Sequence, residues 1–198
     1  MEQDVAVTKG PKVQKMFDSI AGRYDLMNRV MTMGQDQKWR KFVVEKAAGK
    51  QGEWALDLAT GTGDIAIMLA GVCGEEKVVG ADFSLGMLKE AQRRFADTRV
   101  NWQACDANQL PFEDNTFQSV TFGYLLRNVD DSVKVLKEVH RVLKPGGKAV
   151  CLDTTPPEKN FYYPFVQLYF TIGIPVLGRM IARDESAYAY LTGSTMDF

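Results

Sequence analysis

The chain has little of what most catalytic centres are built from. It contains one histidine, His140, and three cysteines, Cys73, Cys105 and Cys151. The cysteines are odd in number and far apart, so the sequence offers neither a disulfide framework nor a metal-ligand spacing. Buried, reduced thiols are expected at all three, and no metal is expected. His140 falls beside Val139, Val142 and Leu143 and reads as a surface residue of a helix. An excess of either charge is missing too. Lys and Arg total 24 against 25 Asp and Glu, a net charge of −1. That excludes a global attraction to nucleic acid, and no Asn-Pro-Pro-Tyr type motif stands in for one. Met1 to Gly10 is polar and lacks the apolar core of a secretory signal. The longest uncharged run, Asn160 to Gly178, is about long enough for a bilayer. It carries Pro164, Pro175, Gln167 and Thr171, which are costly in a lone span. A soluble, cytoplasmic protein with one sticky segment is expected, of a length that suits one domain.

What is present is a glycine turn with acids around it. Asp57-Leu58-Ala59-Thr60-Gly61-Thr62-Gly63 lies between a short apolar run and Asp64–Ala70, which reads as a helix start. Glycine allows close backbone approach to a ligand, and the helix beyond it offers free N–H groups and a partial positive charge. Asp82 ends the next apolar run and can accept from two ribose hydroxyls. Two cofactors fit. Gly61-Thr62-Gly63-Asp64-Ile65-Ala66 satisfies the dinucleotide pattern G-x-G-x-x-A, with Asp82 near the expected spacing. Asp57 instead favours a cofactor with an ammonium group, such as S-adenosylmethionine, over one with a pyrophosphate. An oxidoreductase Tyr-x-x-x-Lys pair is absent at Tyr124, where Asn128 follows four residues on.

Apolar runs at Trp54–Leu58, Val78–Ala81, Val100–Ala104, Phe117–Phe122 and Lys148–Leu152 are the strand candidates. Helices fit between them at Asp64–Val72, Ser84–Ala96 and Asp131–Leu143, with Ser84 as a cap. Lys144-Pro145-Gly146-Gly147 reads as a turn. This alternation predicts an α/β, Rossmann-like, mainly parallel sheet with helices on both faces and the ligand at the strands' carboxyl ends. Asp57, Asp82, Asp106 and Gly123 all fall at such ends. Asp106 suits an adenine amino group and the Ala107 N–H a ring nitrogen, the alternative being that Asp106 caps a turn. Arg127 and Asn128, directly after the fourth strand, are hard to explain by packing alone, the alternative being a structural ion pair, for instance with Asp130 or Asp131. Before the sheet, Met1–Pro11 reads as a loose tail and Lys12–Lys46 as two or three helices broken at Gly22 and Gly34. The domain then divides into a helical lid over residues 1–48, a cofactor core over 49–153 and a cover over 154–198. Phe161, Phe165, Leu168, Tyr169, Ile172 and Val176 form an apolar stripe in that cover, set either over a substrate's tail, against a membrane, or in the core.

The chain resembles the quinone-biosynthesis C-methyltransferases of menaquinone and ubiquinone synthesis. The resemblance rests on Met16-Phe17-Asp18-Ser19-Ile20-Ala21, Arg23-Tyr24-Asp25-Leu26-Met27-Asn28, Leu56–Asp64, Asp106-Ala107, Leu110-Pro111-Phe112, Leu126-Arg127-Asn128-Val129 and Arg141–Gly147, in family order. It implies a class I methyltransferase using S-adenosylmethionine on the ring of a prenylated quinol, demethylmenaquinol foremost. A silent cofactor-binding or assembly protein is the other class. The family's cofactor contacts fall on Thr62, Asp82, Asp106, Ala107 and Gly123, beside Asp57, Gly61 and Gly63. A serine is usual at Gly123, and Phe-Gly is usual where Tyr124-Leu125 stands. Arg127 would stabilise a ring phenolate, while Asn128 and Tyr24 orient the ring and relay its proton. Family members add two closing strands after a segment like Tyr188–Leu191, so an open sheet edge and a homodimer are expected here.

Overall fold

The computed structural model describes residues 9–47, 49–156, 159–182 and 184–196. Five strands form one parallel sheet: β1 (Ala55–Leu58), β2 (Val78–Asp82), β3 (Asn101–Ala104), β4 (Phe117–Gly123) and β5 (Leu143–Leu152), ordered β3-β2-β1-β4-β5. The order reverses between β1 and β4, the place where an open α/β sheet leaves a crevice beyond its strand ends. Alternation along the strands sends Leu56, Leu58, Val120 and Phe122 to one face, where they pack with Val135, Val139 and Val142 of α6 (Ser132–Val142). The other face meets Val43, Val44 and Ala47 of α3 (Gln35–Ala47) and Ile65, Ala66 and Leu69 of α4 (Asp64–Cys73). A third cluster joins the two ends of the chain. Ile20 of α1 (Lys9–Ile20) and Met27 of α2 (Tyr24–Met31) pack with Met87 of α5 (Leu85–Arg94), Ile174 of α8 (Ile174–Leu177) and Tyr188 of α9 (Glu185–Met196).

The expected strands and helices all form, with ends shifted by a few residues. Ser84 caps α5 by accepting from the Met87 N–H at 3.1 Å, and Asp131 caps α6 by accepting from Lys134 N–H at 2.9 Å. The helix breaks fall at residues 21–23 and 32–34. Met1–Thr8 of the expected tail lies outside the described residues, but Lys9-Gly10-Pro11 is helical rather than loose. Proline is tolerated in a first turn because the N–H it lacks has no partner there. Lys144–Gly147 is a bulge inside β5: Phe117 pairs with Leu143 and Ser119 with Lys148, so the residues between loop out. One expectation is corrected, and one alternative is set aside. Cys73 is buried, but Cys105 is only partly so and Cys151 is exposed, because β5 is the sheet's edge among the described residues. Apart from Tyr169, which packs against the third cluster, the apolar stripe is not core. Phe161, Phe165, Leu168 and Ile172 are 81, 67, 56 and 55% exposed. The helical run Tyr163–Ile181, 19 residues of mean hydropathy 1.3, is long and apolar enough to cross a membrane by length and composition. It comprises α7 (Tyr163–Leu168), a π turn (Tyr169–Gly173), α8 and a second π turn (Gly178–Ala182).

Candidate active site

A cavity of about 400 Å3 opens at the carboxyl ends of β1, β2 and β4. Its wall includes Gly61 from the glycine turn, Asp82 at the end of β2 and Ser84 beyond it, and Cys105 to Asn108 after β3. Gly123 and Tyr124 close it from β4, and Gly10, Gln14 and Phe17 of α1 cover it. The turn forms because β1 ends in two tight bends. Ala59 sits at φ 54° and Gly61 at φ 57°, and Gly63 at φ 91° precedes α4. Asp82 is tied to the turn: its Oδ2 accepts from Gly61 N–H at 2.7 Å and its Oδ1 from Ser84 N–H at 2.8 Å. Burial pushes its carboxyl up, against these backbone N–H groups. Asp106 does cap a turn, its Oδ1 accepting from the Asn108 N–H and Nδ2 at 2.8 Å each, while its residue lines the cavity with Ala107.

Asp57 is not on this wall. It is 1% exposed, and its oxygens accept from the Thr60 hydroxyl at 2.6 Å and the Thr121 hydroxyl at 2.7 Å. Burial raises its pKa to about 6, against those two hydroxyls. Its direct partners are thus the turn and β4. Thr62 and Gly63 are also off the wall. The Thr62 hydroxyl donates to Asp25 Oδ1 at 2.8 Å, which joins the turn to α2.

That bond belongs to a larger latch. Arg94 of α5 donates to Asp25 Oδ2 and Asp64 Oδ1, each at 2.7 Å, and to the Thr62 carbonyl at 3.0 Å. Arg40 of α3, 7% exposed, donates to Asp64 and lies 3.7 Å from Asp36 Oδ2. Two guanidiniums thus hold three carboxylates and pin α2 and α3 to the glycine turn. On the other side, Asp18 of α1 accepts from Ser84 Oγ at 2.6 Å and Gly86 N–H at 2.7 Å. Glycine is required at position 86, since a Cβ there would lie 2.8 Å from Asp18 Cα.

A second cavity of about 290 Å3 adjoins the first, and Tyr24 and Tyr124 line both. Its apolar wall is Met31, Met33, Trp39, Tyr169, Phe170, Ile174 and Leu191, and its polar residues include Asn28, Thr32, Arg127, Thr154, Thr192 and Thr195. Tyr124 sits at φ 56°, a left-handed conformation costly for an aromatic residue, held by its N–H donating to Leu152 O at 2.8 Å. Burial pushes both phenols up, Tyr124 to about 12. Each therefore stays protonated near neutrality and can donate. Arg127 does form an ion pair, though with neither Asp130 nor Asp131: its Nη1 lies 3.5 Å from Asp153 Oδ1, at the end of β5. The same Nη1 donates to Thr154 Oγ1 at 2.5 Å and Thr195 Oγ1 at 2.6 Å. Asn128 lines the first cavity, donates to Tyr124 O at 2.7 Å and accepts from Tyr190 OH at 3.3 Å.

The structure thus brings Tyr24, Gly61, Asp82, Asp106, Ala107, Gly123 and Asn128 to one cavity and Arg127 to its neighbour. Asp57, Thr62 and Gly63 shape the turn behind them. Sequence reasoning missed the latch of Asp25, Arg40, Asp64 and Arg94, and missed Thr154, Thr195 and Tyr190. Isolated threonines and paired helix charges carry no local signal of such roles.

A parallel β3-β2-β1-β4-β5 sheet with an acid ending β2 and a glycine turn after β1 is the fold of the class I methyltransferases, the class to which the comparisons assign it. Phosphoethanolamine-type N-methyltransferase 2 of Haemonchus contortus, solved with S-adenosylhomocysteine, superposes with a TM-score of 0.56 at 27% identity, over 67% of this chain and 32% of that one. The cyclase SpnF superposes with a TM-score of 0.63 at 21% identity, over 76% of this chain and 63% of its own, a likeness of fold alone. The chain belongs to the ubiE/COQ5 methyltransferase family, whose model matches residues 5–198. It is 66% identical over 196 residues to a ubiquinone/menaquinone biosynthesis C-methyltransferase of Desulfotalea psychrophila, covering 99% of this chain and 80% of that protein. It is 38% identical to a demethylmenaquinone methyltransferase of Oceanobacillus iheyensis, covering 96% of this chain and 82% of the relative.

Proposed function

We propose that the chain methylates a ring carbon of a prenylated quinol, a demethylmenaquinol foremost, with S-adenosylmethionine in the first cavity and the quinol ring in the second. The observation that carries this reading is the shared wall: Tyr24 and Tyr124 border both cavities, so a donor in one meets a ring in the other. The first cavity suits the cofactor by size, by the Asp82 carboxylate beside the glycine turn, and by apolar Phe83, Met87 and Leu125. When bound, S-adenosylmethionine supplies a methyl group already activated on sulfur. The protein's tasks are to align the ring and to favour charge on the oxygen beside the reacting carbon. Arg127 places a fixed guanidinium beside that oxygen and stabilises the phenolate. Tyr24, held protonated by burial, orients the ring at the shared wall, and Asn128, on the first cavity's side, holds Tyr124 in place by donating to its carbonyl. The ring carbon gains the methyl as the donor's carbon–sulfur bond breaks, and the proton that carbon then loses passes to water beside the Tyr24 hydroxyl, which keeps its own.

The helices of residues 9–47 serve as the lid and those of residues 159–196 as the substrate cover. The exposed face of Phe161, Phe165, Leu168 and Ile172 suits peripheral contact with a bilayer, where an apolar tail would reside. The β5 edge suits a second copy of the chain, which sedimentation would detect. A methyl-transfer assay with short-tailed demethylmenaquinol and demethoxy-type benzoquinols side by side tests the function. Ring methylation of the naphthoquinol above the benzoquinols is expected, and no transfer to any quinol would refute it.

A further inference from the structure

The exposed charge of α2 and α3 is of one sign. Across residues 22–47, Arg23, Arg29, Lys38, Lys41 and Lys46 are exposed, against a single exposed acid, Glu45. The other two acids of the stretch are engaged by the guanidiniums of the latch, Asp25 by Arg94 and Asp36 beside Arg40. The exposed charge there is +4, on a chain whose total is −1. Apolar side chains stand among these cations. Lys38, Trp39, Phe42 and Lys46 share one face of α3 by their spacing, and all four are exposed. Lys46 Nζ lies 5.1 Å from the centre of the Phe42 ring. Met33, in the turn between α2 and α3, is 82% exposed and sits at φ 51°. A left-handed backbone is costly for a residue with a Cβ, and a methionine left in water offsets none of that cost.

Met33 and Trp39 also line the second cavity, so they stand at its mouth. Tyr169 and Phe170 line the same cavity, and the Tyr169 OH donates to Met31 O at 3.1 Å, which fastens the apolar helical run to this corner. The mouth thus has two apolar borders, Met33 and Trp39 on one side and the run that exposes Phe165, Leu168 and Ile172 on the other. A nucleic acid would match the cations but leave both apolar borders in water. A bilayer meets both demands, with phosphates for the cations and an acyl boundary for the apolar side chains. We infer that the α2–α3 corner is a docking surface for a bilayer of anionic lipids: Met33, Trp39 and Phe42 enter the headgroup layer, Lys38 and Lys41 meet its phosphates, and the second cavity opens into it. Stable attachment takes two signals, and here they are the basic corner and the apolar run. The inference rests on the functional reading above in one respect: a prenylated ring could enter the cavity from the bilayer while its tail stayed there.

Flotation with two vesicles tests this, one of phosphatidylcholine alone and one with about 30% phosphatidylglycerol, each in low and high salt. The unaltered chain should bind the anionic vesicles roughly tenfold or more tightly, and high salt should erase the difference. Lys38→Glu with Lys41→Glu should bring the two vesicles within about twofold. Phe42→Ser should weaken binding to both. None of these three side chains lines the first or the second cavity, and an unchanged melting temperature shows that the variants are folded. If the double reversal does not fold, Lys38→Gln with Lys41→Gln gives the same comparison with half the change in charge. Equal binding of the unaltered chain to both vesicles, or a preference that survives loss of the two lysines, overturns the inference. So does capture by a single-stranded oligonucleotide in place of the vesicles. Anionic preference without methylation of any quinol would refute the functional reading and leave the docking surface standing. Quinol methylation without anionic preference would remove the docking surface alone.

Discussion

Arg127 and Thr195 are joined across most of the fold: the guanidinium after β4 donates to a hydroxyl on the last helix, 68 positions away, at 2.6 Å. Thr154 shares the same nitrogen and lies 3.2 Å from Thr195. Two hydroxyls and the Asp153 carboxylate therefore set where the guanidinium points. Thr195→Val should lower turnover about tenfold, the scale of one hydrogen bond to a charged group, with cofactor affinity unchanged. Thr195→Ser should restore most of it. Steady-state kinetics beside cofactor titration checks this; a parallel loss in cofactor affinity would point to general loosening of α9.

Arg127→Ala and Asp82→Ala should separate the two cavities. Arg127 lines the second, so its loss should cut turnover far more than cofactor affinity. Asp82 lines the first, and its loss should weaken cofactor binding by roughly 1–3 kcal/mol. Calorimetry with S-adenosylhomocysteine, set against rates, distinguishes the two patterns. Tighter binding of NADH than of S-adenosylhomocysteine by the unaltered chain would refute the cofactor assignment.

Asp57 should make the protein more stable at mildly acid pH. Its folded pKa is about 6, against about 4 for a free aspartate. Between those values the folded chain holds a proton that the unfolded chain has released. Stability from this group therefore falls as pH rises from about 4 to about 6, by about 3 kcal/mol for a shift of that size, and stays lower above. Burial raises Asp25, Asp82 and Asp153 in the same direction. Asp57→Asn should flatten the slope over that window, as denaturant melts at a series of pH values would reveal.

Arg94→Met should loosen the lid. Asp25, Asp64 and the Thr62 carbonyl all lose a donor, and Asp25 is left with burial that already disfavours its charge. A loss of roughly 1–3 kcal/mol in stability is expected, with weaker cofactor binding because α2 is no longer pinned to the glycine turn. Hydrogen exchange at residues 24–31 should rise in step; unchanged protection there would show that the latch is dispensable.

Phe165→Ser with Leu168→Ser should abolish flotation with liposomes while leaving turnover of short-tailed quinols intact. Both side chains are exposed and neither lines the first or the second cavity. Flotation of the double variant at the original level would locate any lipid contact elsewhere.

Local chemistry made much of this legible. The glycine turn, Asp82, the Ser84 cap and the strand–helix alternation are each written within a few neighbouring residues. Arg127 stands out because a charge directly after a buried strand is hard to explain by packing, but the ion-pair partners its neighbours suggest are not the ones it takes. Asp130 and Asp131 are near in sequence; Asp153, Thr154 and Thr195 become neighbours only when β5 lies beside β4 and α9 folds back. The Asp25–Arg94 bond, across 69 positions, is hidden for the same reason. The stripe from Phe161 to Val176 was visible as a pattern, but periodicity does not say which face meets solvent. Tyr169, Phe170 and Ile174 turn inward instead, with Tyr169 OH donating to Met31 O at 3.1 Å.

That inward turn depends on the π segment at Tyr169–Gly173. A π turn is an α-helix carrying one residue too many. Deleting any single residue there would let the backbone relax into ordinary α-helix. It would also rotate everything downstream by about 100° relative to α7. Ile174, now 5% exposed, would swing away from the second cavity and bring a neighbour in its place. Insertions and deletions are usually judged by the damage they do to regular structure. At this position the edit that makes the helix more regular is the one that takes the roof off the second cavity.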